Sequence, residues 1–281
     1  MPAARWLARS ACWIAVFAAL VAGERSLAAP ILLEDGVALL EVDPSSQDGL
    51  TGWTVNGVAH VRTQSFWIAG GAGERPLASL DLVSALPADA NGDGHDETLT
   101  ISYADPSSQL GVTLRYVLSG TPIGDATVGS ALSLDITLEA LGDGLLGAQR
   151  IFEYTDVDLF TSYADDEALF AGTPLAARVT DSSELGSYES SWDRAPTAVE
   201  AALYDTTLAS LLDGSPTTLS NALAASGDVT LAAMWDVPAG AGASLTWNQT
   251  QTIRVVPEPG AALLVALGLT ALGLRRQEIA R

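Results

Sequence analysis

The feature that most constrains this chain is a two-residue hydrophobic alternation, repeated between clusters of Gly, Pro, Asp and Asn. In Thr98–Tyr103 (TLTISY), Leu99, Ile101 and Tyr103 fall on one side of an extended backbone, and Thr98, Thr100 and Ser102 fall on the other. In Ala131–Ala140 (ALSLDITLEA), Leu132, Leu134, Ile136 and Leu138 alternate with Ser133, Asp135, Thr137 and Glu139. A period of two belongs to strands with one buried face and is incompatible with a helix. Further strand-like runs are Val37–Val42, Thr51–Val58, Val61–Ile68, Ser79–Val83, Gly111–Leu118, Gln149–Leu159, Leu175–Thr180, Gly186–Trp192, Val229–Val237 and Ala243–Val255. Turn chemistry separates them, as at Asp105-Pro106-Ser107-Ser108 and Gly142-Asp143-Gly144, and Asp165-Asp166-Glu167 reads as an acidic loop. The last two runs, joined through Pro238–Gly242, are expected to close the fold as a pair. One short helix is expected over Thr206–Asp213, capped by Asp205 or Thr206, stopped by Gly214 and lying over an end or edge. The predicted fold is all-β, an antiparallel β-sandwich of jelly-roll or immunoglobulin-like architecture.

Both ends of the chain read as targeting segments. Arg5 and Arg9 precede an apolar run, Ala11–Gly23, and Ser26-Leu27-Ala28 offers a small-x-small cleavage site. Cleavage is expected after Ala28, and separated arginines suit Sec export better than the twin-arginine route. The single cysteine, Cys12, would leave with this segment, so disulfides and thiol chemistry are not expected in residues 29–254. At the other end, Gly260–Leu274 is free of charge and closes on Arg275-Arg276. As a helix it spans about 22 Å, short of a hydrocarbon core of about 30 Å.

Val256-Pro257-Glu258-Pro259, the small Gly260-Ala261-Ala262, the apolar run and the Arg275-Arg276 pair together resemble a PEP-CTERM sorting signal. That signal is known from Gram-negative bacteria that make exopolysaccharide. The resemblance covers residues 255–281. It implies recognition by an exosortase, transient residence in the inner membrane, processing near Pro257–Pro259, and delivery to the cell surface or matrix. The stretch from Gly214 to Trp247 is also loosely similar to the C-terminal half of uncharacterised exported proteins bearing this signal.

Residues 29–254 carry 7 arginines, no lysine and 31 carboxylates, a formal charge of −24. A surface so acidic repels phosphate backbones and anionic headgroups, which excludes nucleic acid as an expected partner. It is compatible with solubility and with divalent cations. The sharpest local motif is Asp89-Ala90-Asn91-Gly92-Asp93-Gly94-His95-Asp96-Glu97. Asp89, Asn91 and Asp93 at alternate positions, Gly94 at the reversal and the His95 carbonyl match the front half of a calcium loop, with Asp96 or Glu97 left to complete the shell. The same residues also suit a hairpin loop built from Asx turns, since Thr100 stands where the full calcium loop has Glu.

Other chemistry is weakly signalled. His60 and His95 lack metal-ligand spacing, and His60 is expected at a surface or edge. Glu153, Asp156, Asp158 and Asp165 are crowded enough to suggest paired carboxylates of a hydrolase. Trp192, in the polar setting Ser190-Ser191-Trp192-Asp193-Arg194, is the candidate platform for a sugar ring, with core packing as its other reading. The expectation is a non-enzymatic structural or adhesive protein of the exopolysaccharide matrix. The alternatives are a carbohydrate-binding module and, after it, a polysaccharide hydrolase.

Overall fold

The computed structural model describes residues 29–70, 73–122, 128–142, 144–160, 163–172, 176–182 and 186–255. Two antiparallel sheets pack face to face. The first runs β1 (Ile31–Asp35), β2 (Ala38–Val42), β3 (Leu50–Val55), β4 (Val58–Ala69), β10 (Gln149–Val157), β16 (Val229–Val237) and β14 (Ala198–Leu203), with β5 (Arg75–Pro76) paired to β4. The second runs β15 (Ala224–Gly227), β11 (Asp166–Ala171), β12 (Ala176–Asp181), β13 (Gly186–Trp192), β17 (Ser244–Val255), β9 (Val128–Ala140), β8 (Leu110–Gly120), β7 (Thr98–Asp105) and β6 (Asp81–Ala88). The antiparallel β-sandwich expected from the alternation is therefore present.

The alternating residues do what their period requires. Leu132, Leu134, Ile136 and Leu138 of β9 are all buried, as are Leu99, Ile101 and Tyr103 of β7. Register then stacks like against like. Leu134 lies opposite Tyr116 of β8, and Ile136 lies between Leu114 of β8 and Trp247 of β17. Aromatic residues join the two layers. Phe170 of β11 stacks on Trp192 at 6.2 Å between ring centroids, Trp192 meets Trp235 of β16 edge-on at 6.1 Å, and Trp235 lies 5.5 Å from Trp247.

Several expectations are corrected. The last two runs do not pair: β16 sits between β10 and β14 in the first sheet, and β17 between β13 and β9 in the second. Nearly every residue of β16 is buried, so it must lie in a sheet covered on both faces, and the link after it crosses from one layer to the other. The supposed acidic loop at Asp165–Glu167 instead leads into β11, with Asp166 fully buried. The helix, α1 (Thr206–Leu212), lies on the outer face of the first sheet rather than over an end. There Leu211 joins Trp67, Phe152, Tyr154, Leu219 and Met234 in a second apolar cluster. A face with so much aromatic area needs cover, and the helix supplies it beside β14, the edge strand of this sheet. Asp205 stands at the cap position in left-handed conformation (φ 60°) and makes no side-chain capping bond.

Ala28 and the sorting residues Val256, Pro257, Glu258, Pro259, Arg275 and Arg276 lie outside the described residues. Among the described residues no helix is long and apolar enough to cross a membrane.

One polar group sits between the sheets. Glu153 of β10 is 2% exposed. Its Oε1 accepts hydrogen bonds from Gln64 Nε2 at 2.7 Å, Gln249 Nε2 at 2.6 Å and Thr155 Oγ1 at 3.3 Å. Its Oε2 accepts from the Trp192 indole at 3.2 Å. Burial pushes the carboxyl's pKa up, and the donors from Gln249, Gln64, Trp192 and Thr155 partly oppose this. Because Gln64 belongs to β4 while Gln249 and Trp192 belong to the opposite sheet, one carboxylate ties both layers. Glu153→Ala leaves buried donors in both sheets without an acceptor, each costing about 1–3 kcal/mol. The expected outcome is a loss of roughly 3 kcal/mol or more, measured by denaturant unfolding, whereas Glu139→Ala on the exposed face of β9 changes stability by less than about 0.5 kcal/mol.

Candidate functional site

The predicted site residues separate. Trp192 is 5% exposed and packed between Phe170 and Trp235, so it offers no free face to a sugar ring. Its polar neighbours misled because side chains alternate: Ser191 faces out, while Trp192 faces the core and spends its N–H on Glu153. Glu153 is sealed in the same core and cannot reach a glycan. Asp165 accepts a hydrogen bond from the Ser182 hydroxyl and is not among the residues that line the pocket of Asp156 and Asp158. His60, expected at the surface, is fully buried against the edge of the Phe160 ring at 5.1 Å.

The 89–97 loop closes the hairpin between β6 and β7. Asp89 accepts the backbone N–H groups of Gly92 at 2.5 Å and Gly94 at 2.9 Å, which hold its pKa down. Asn91 accepts from Asp93 N–H, Asp93 from His95 N–H, and Glu97 from the N–H groups of Ala90 and Asn91. Gly92 and Gly94 have φ of 82° and 97°, a region other residues enter only with strain. The Asx-turn reading therefore describes the backbone. The loop also brings carboxylate oxygens of Asp89, Asp93 and Glu97 within 4.8 Å of one another. The His95 side chain is not among them; its Nδ1 lies 3.1 Å from Glu34.

The outer face of the second sheet carries a broad trough. Register sets its floor in rungs: Glu167, Thr180, Ser187 and Arg254 lie across β11, β12, β13 and β17, and Leu169, Arg178, Glu189 and Thr252 form the next. A third rung is Ala171, Ala176, Ser191 and Thr250. Two adjoining depressions of about 890 and 480 Å³ share Leu169, Arg178, Glu189 and Arg254. Arg178 and Glu189 are 3.7 Å apart and half exposed, so they remain free to exchange partners. The trough thus offers carboxylate acceptors, guanidinium donors and hydroxyls around one exposed apolar residue, Leu169. These groups suit a hydroxyl-rich ligand lying along the sheet.

A second, smaller pocket of about 200 Å³ lies where four neighbouring strands of the first sheet end. Arg62 comes from β4, Asp156 from β10, Asp158 from just beyond it, Tyr204 from the end of β14 and Asp228 from the turn into β16, with Tyr163 across the mouth. Tyr204 N–H donates to the Asp228 carbonyl at 2.7 Å and Asp158 N–H to the His60 carbonyl at 3.1 Å, which fixes both segments. Asp156 and Asp158 are 6% and 5% exposed. Burial first, then the charges of Asp158 and Asp228, push the Asp156 pKa up to about 7, against the pull of Arg62. Asp228 is raised by burial and by Asp158. Beyond this pocket the buried Asp166 is likewise raised to about 7, mainly by burial. Asp156 and Asp158 were legible as a crowded pair in one strand. Arg62, Tyr204 and Asp228 were not, because 62, 156, 204 and 228 become neighbours only through the strand order.

No protein-family model and no curated protein sequence matches this chain. The fold does have counterparts among solved structures. A bacterial glucoamylase complexed with acarbose superposes with a TM-score of 0.59 at 11% identity, over 85% of this chain and 34% of the glucoamylase. A protein assigned as a kojibiose phosphorylase, from the human microbiome, gives 0.44 at 8% identity over 88% of this chain and 33% of its own, and a polysaccharide lyase gives 0.37 at 11% identity over 81% and 33%. The chain spans about a third of the length of each. By fold it is an antiparallel β-sandwich of the kind contained in the glucoamylase. This corrects the expectation of a non-enzymatic protein. A glucoamylase contains this fold, so the fold gives no ground for excluding an enzyme.

His60 supplies a test of how tightly the end of the sandwich is sealed. Neither ring nitrogen has a hydrogen-bond partner, and burial lowers its pKa from 6.5 to about 4. The unfolded chain therefore takes up a proton below pH 6.5 that the native chain refuses. Stability from this group is complete above pH 6.5 and falls by about 1.4 kcal/mol per unit as pH drops toward 4. Unfolding of wild type and His60→Leu in chelator is expected to show that slope in the difference between them, in which the titrations of Asp156 and Asp166, common to both proteins, cancel.

Proposed function

We propose that residues 29–255 form the carbohydrate-binding sandwich of an exported protein. The observation that carries this reading is the trough on the second sheet, whose rungs present Glu167, Arg178, Glu189 and Arg254 among hydroxyls around Leu169. Saccharides offer closely spaced hydroxyls that both donate and accept, and the trough has both kinds of partner in register. Fold likeness to a glucoamylase supports the reading at the level of architecture. The structural or adhesive role expected from sequence gives way to it. Among the lining residues Leu169 is the only large apolar one, so individual contacts are weak and an extended chain is favoured over a single sugar.

Export through a Sec signal cleaved after Ala28, and sorting by an exosortase at Val256–Pro259 with Arg275-Arg276 as cytoplasmic stop, belong to the same proposal. They would deliver the trough to the exopolysaccharide outside the cell. Calcium at Asp89, Asp93 and Glu97 is proposed as a stabiliser of the β6–β7 hairpin. Calcium at about 100 times its dissociation constant adds about 2.7 kcal/mol, and the calcium-induced gain in thermal unfolding of Asp89→Ala/Asp93→Ala is expected to fall short of that of wild type by about this amount.

Affinity electrophoresis through gels cast with purified bacterial exopolysaccharide, and separately with a soluble α-glucan, tests the binding. Wild type is expected to be retarded, and Arg178→Ala/Glu189→Ala to lose at least tenfold in affinity with unchanged unfolding. Equal retardation of the two proteins would refute the trough as the binding surface. Trp192→Ala is unsuitable for this purpose, since it opens the core.

A further inference from the structure

The small pocket at the ends of β4, β10, β16 and β14 has a feature that solvation of an acidic surface does not explain. Its charges are held inside. Oxygens of Asp156, Asp158 and Asp228 lie within 4.8 Å of one another, yet Asp156 and Asp158 are almost fully buried. Asp158 Oδ2 is paired with Arg62, but Asp158 Oδ1 and Asp156 Oδ1 have no hydrogen-bond partner. Beside them is a third unpartnered group, the Tyr154 hydroxyl. Tyr154 is 1% exposed, follows the same outward alternation of β10 as Asp156, and has the Thr230 hydroxyl near it together with Asp156, Tyr204 and Asp228.

Buried polar atoms are nearly always satisfied, and orphans of this kind mark a missing partner. Three carboxylates and one guanidinium leave a formal charge of −2, which one divalent cation balances. The donors are all oxygen. Neither sulfur nor imidazole lines the pocket, so the donor set suits a hard cation rather than zinc or copper. The pocket's 200 Å³ leaves room for waters to complete the shell, and two of its lining residues, Tyr163 and Tyr204, are half exposed.

We propose that Asp156, Asp158 and Asp228 hold a hard divalent cation of the calcium, magnesium or manganese class, in a site separate from the 89–97 loop. Arg62 limits the affinity by occupying one carboxylate oxygen and neutralising one of the cluster's three charges. The site is independent of the carbohydrate reading of the trough, which lies on the other sheet.

The test is calorimetric titration of the chelator-treated full chain with CaCl2 and with MnCl2. Wild type is expected to bind one equivalent that Asp93→Ala retains and Asp228→Asn loses. Tyr154→Phe is expected to weaken that equivalent by a fewfold without changing its stoichiometry. Arg62→Ala raises the pocket charge to −3 and is expected to tighten binding by about tenfold, a gain that misfolding cannot imitate. The proposal is overturned if Asp228→Asn binds as many equivalents as wild type. It is overturned equally if Asp228→Asn fails to fold and folded Arg62→Ala binds no more tightly than wild type.

Discussion

The sandwich depends on one buried carboxylate. A carboxyl group buried between two sheets is costly without partners, since its polar atoms lose their hydration. Donors from β4, β10, β13 and β17 converge on it and offset that cost. Geometry gives the cluster its second effect. Apolar faces can slide over one another with little penalty, but amide and indole N–H groups at 2.6–3.2 Å must stay where the carboxylate is. The layers are therefore registered against each other at one point, and the chain of Phe170, Trp192, Trp235 and Trp247 fills the space around it.

Both candidate sites inherit their geometry from this registration. The trough is the outward face of the strands whose inward residues, Trp192 and Gln249, bind Glu153. Its rungs alternate with the core residues one position away, so the same pleat that buries Tyr188 exposes Glu189. The acidic pocket lies at the far end of β10, three residues beyond Glu153. The first site presents charge to solvent, where it is cheap and exchangeable. The second holds charge inside, where it demands a partner. That contrast is the physical reason the two proposals differ, a hydroxyl-rich ligand for the trough and a small cation for the pocket.

Much of the fold was legible because the period-two signal is strong where one face is wet. Runs such as TLTISY and ALSLDITLEA gave β7 and β9 with the correct residues inward. The signal weakened where both faces are covered, as in β16, and where strands are short or rich in Ala and Asp, as in β1, β11, β14 and β15. Local polarity was a poor guide to burial. Trp192 sits among serines, aspartate and arginine yet belongs to the core, and His60 at a strand start is sealed against Phe160. In each case a decisive neighbour is distant in sequence: Trp235, on the opposite sheet from Trp192, and Phe160, a hundred residues beyond His60.

By itself the sequence determined the class of fold, the positions of most strands, the acidic surface and the hairpin loop at 89–97. These rest on periods and turn residues, which act over a few positions along the chain. Only the tertiary structure decided which carboxylates meet. Glu153, Asp156, Asp158 and Asp165 look equivalent as a crowd, but they divide into an inter-sheet tie, two walls of a pocket and a surface residue. Strand order and pleat direction make that division, and neither is encoded in any local spacing.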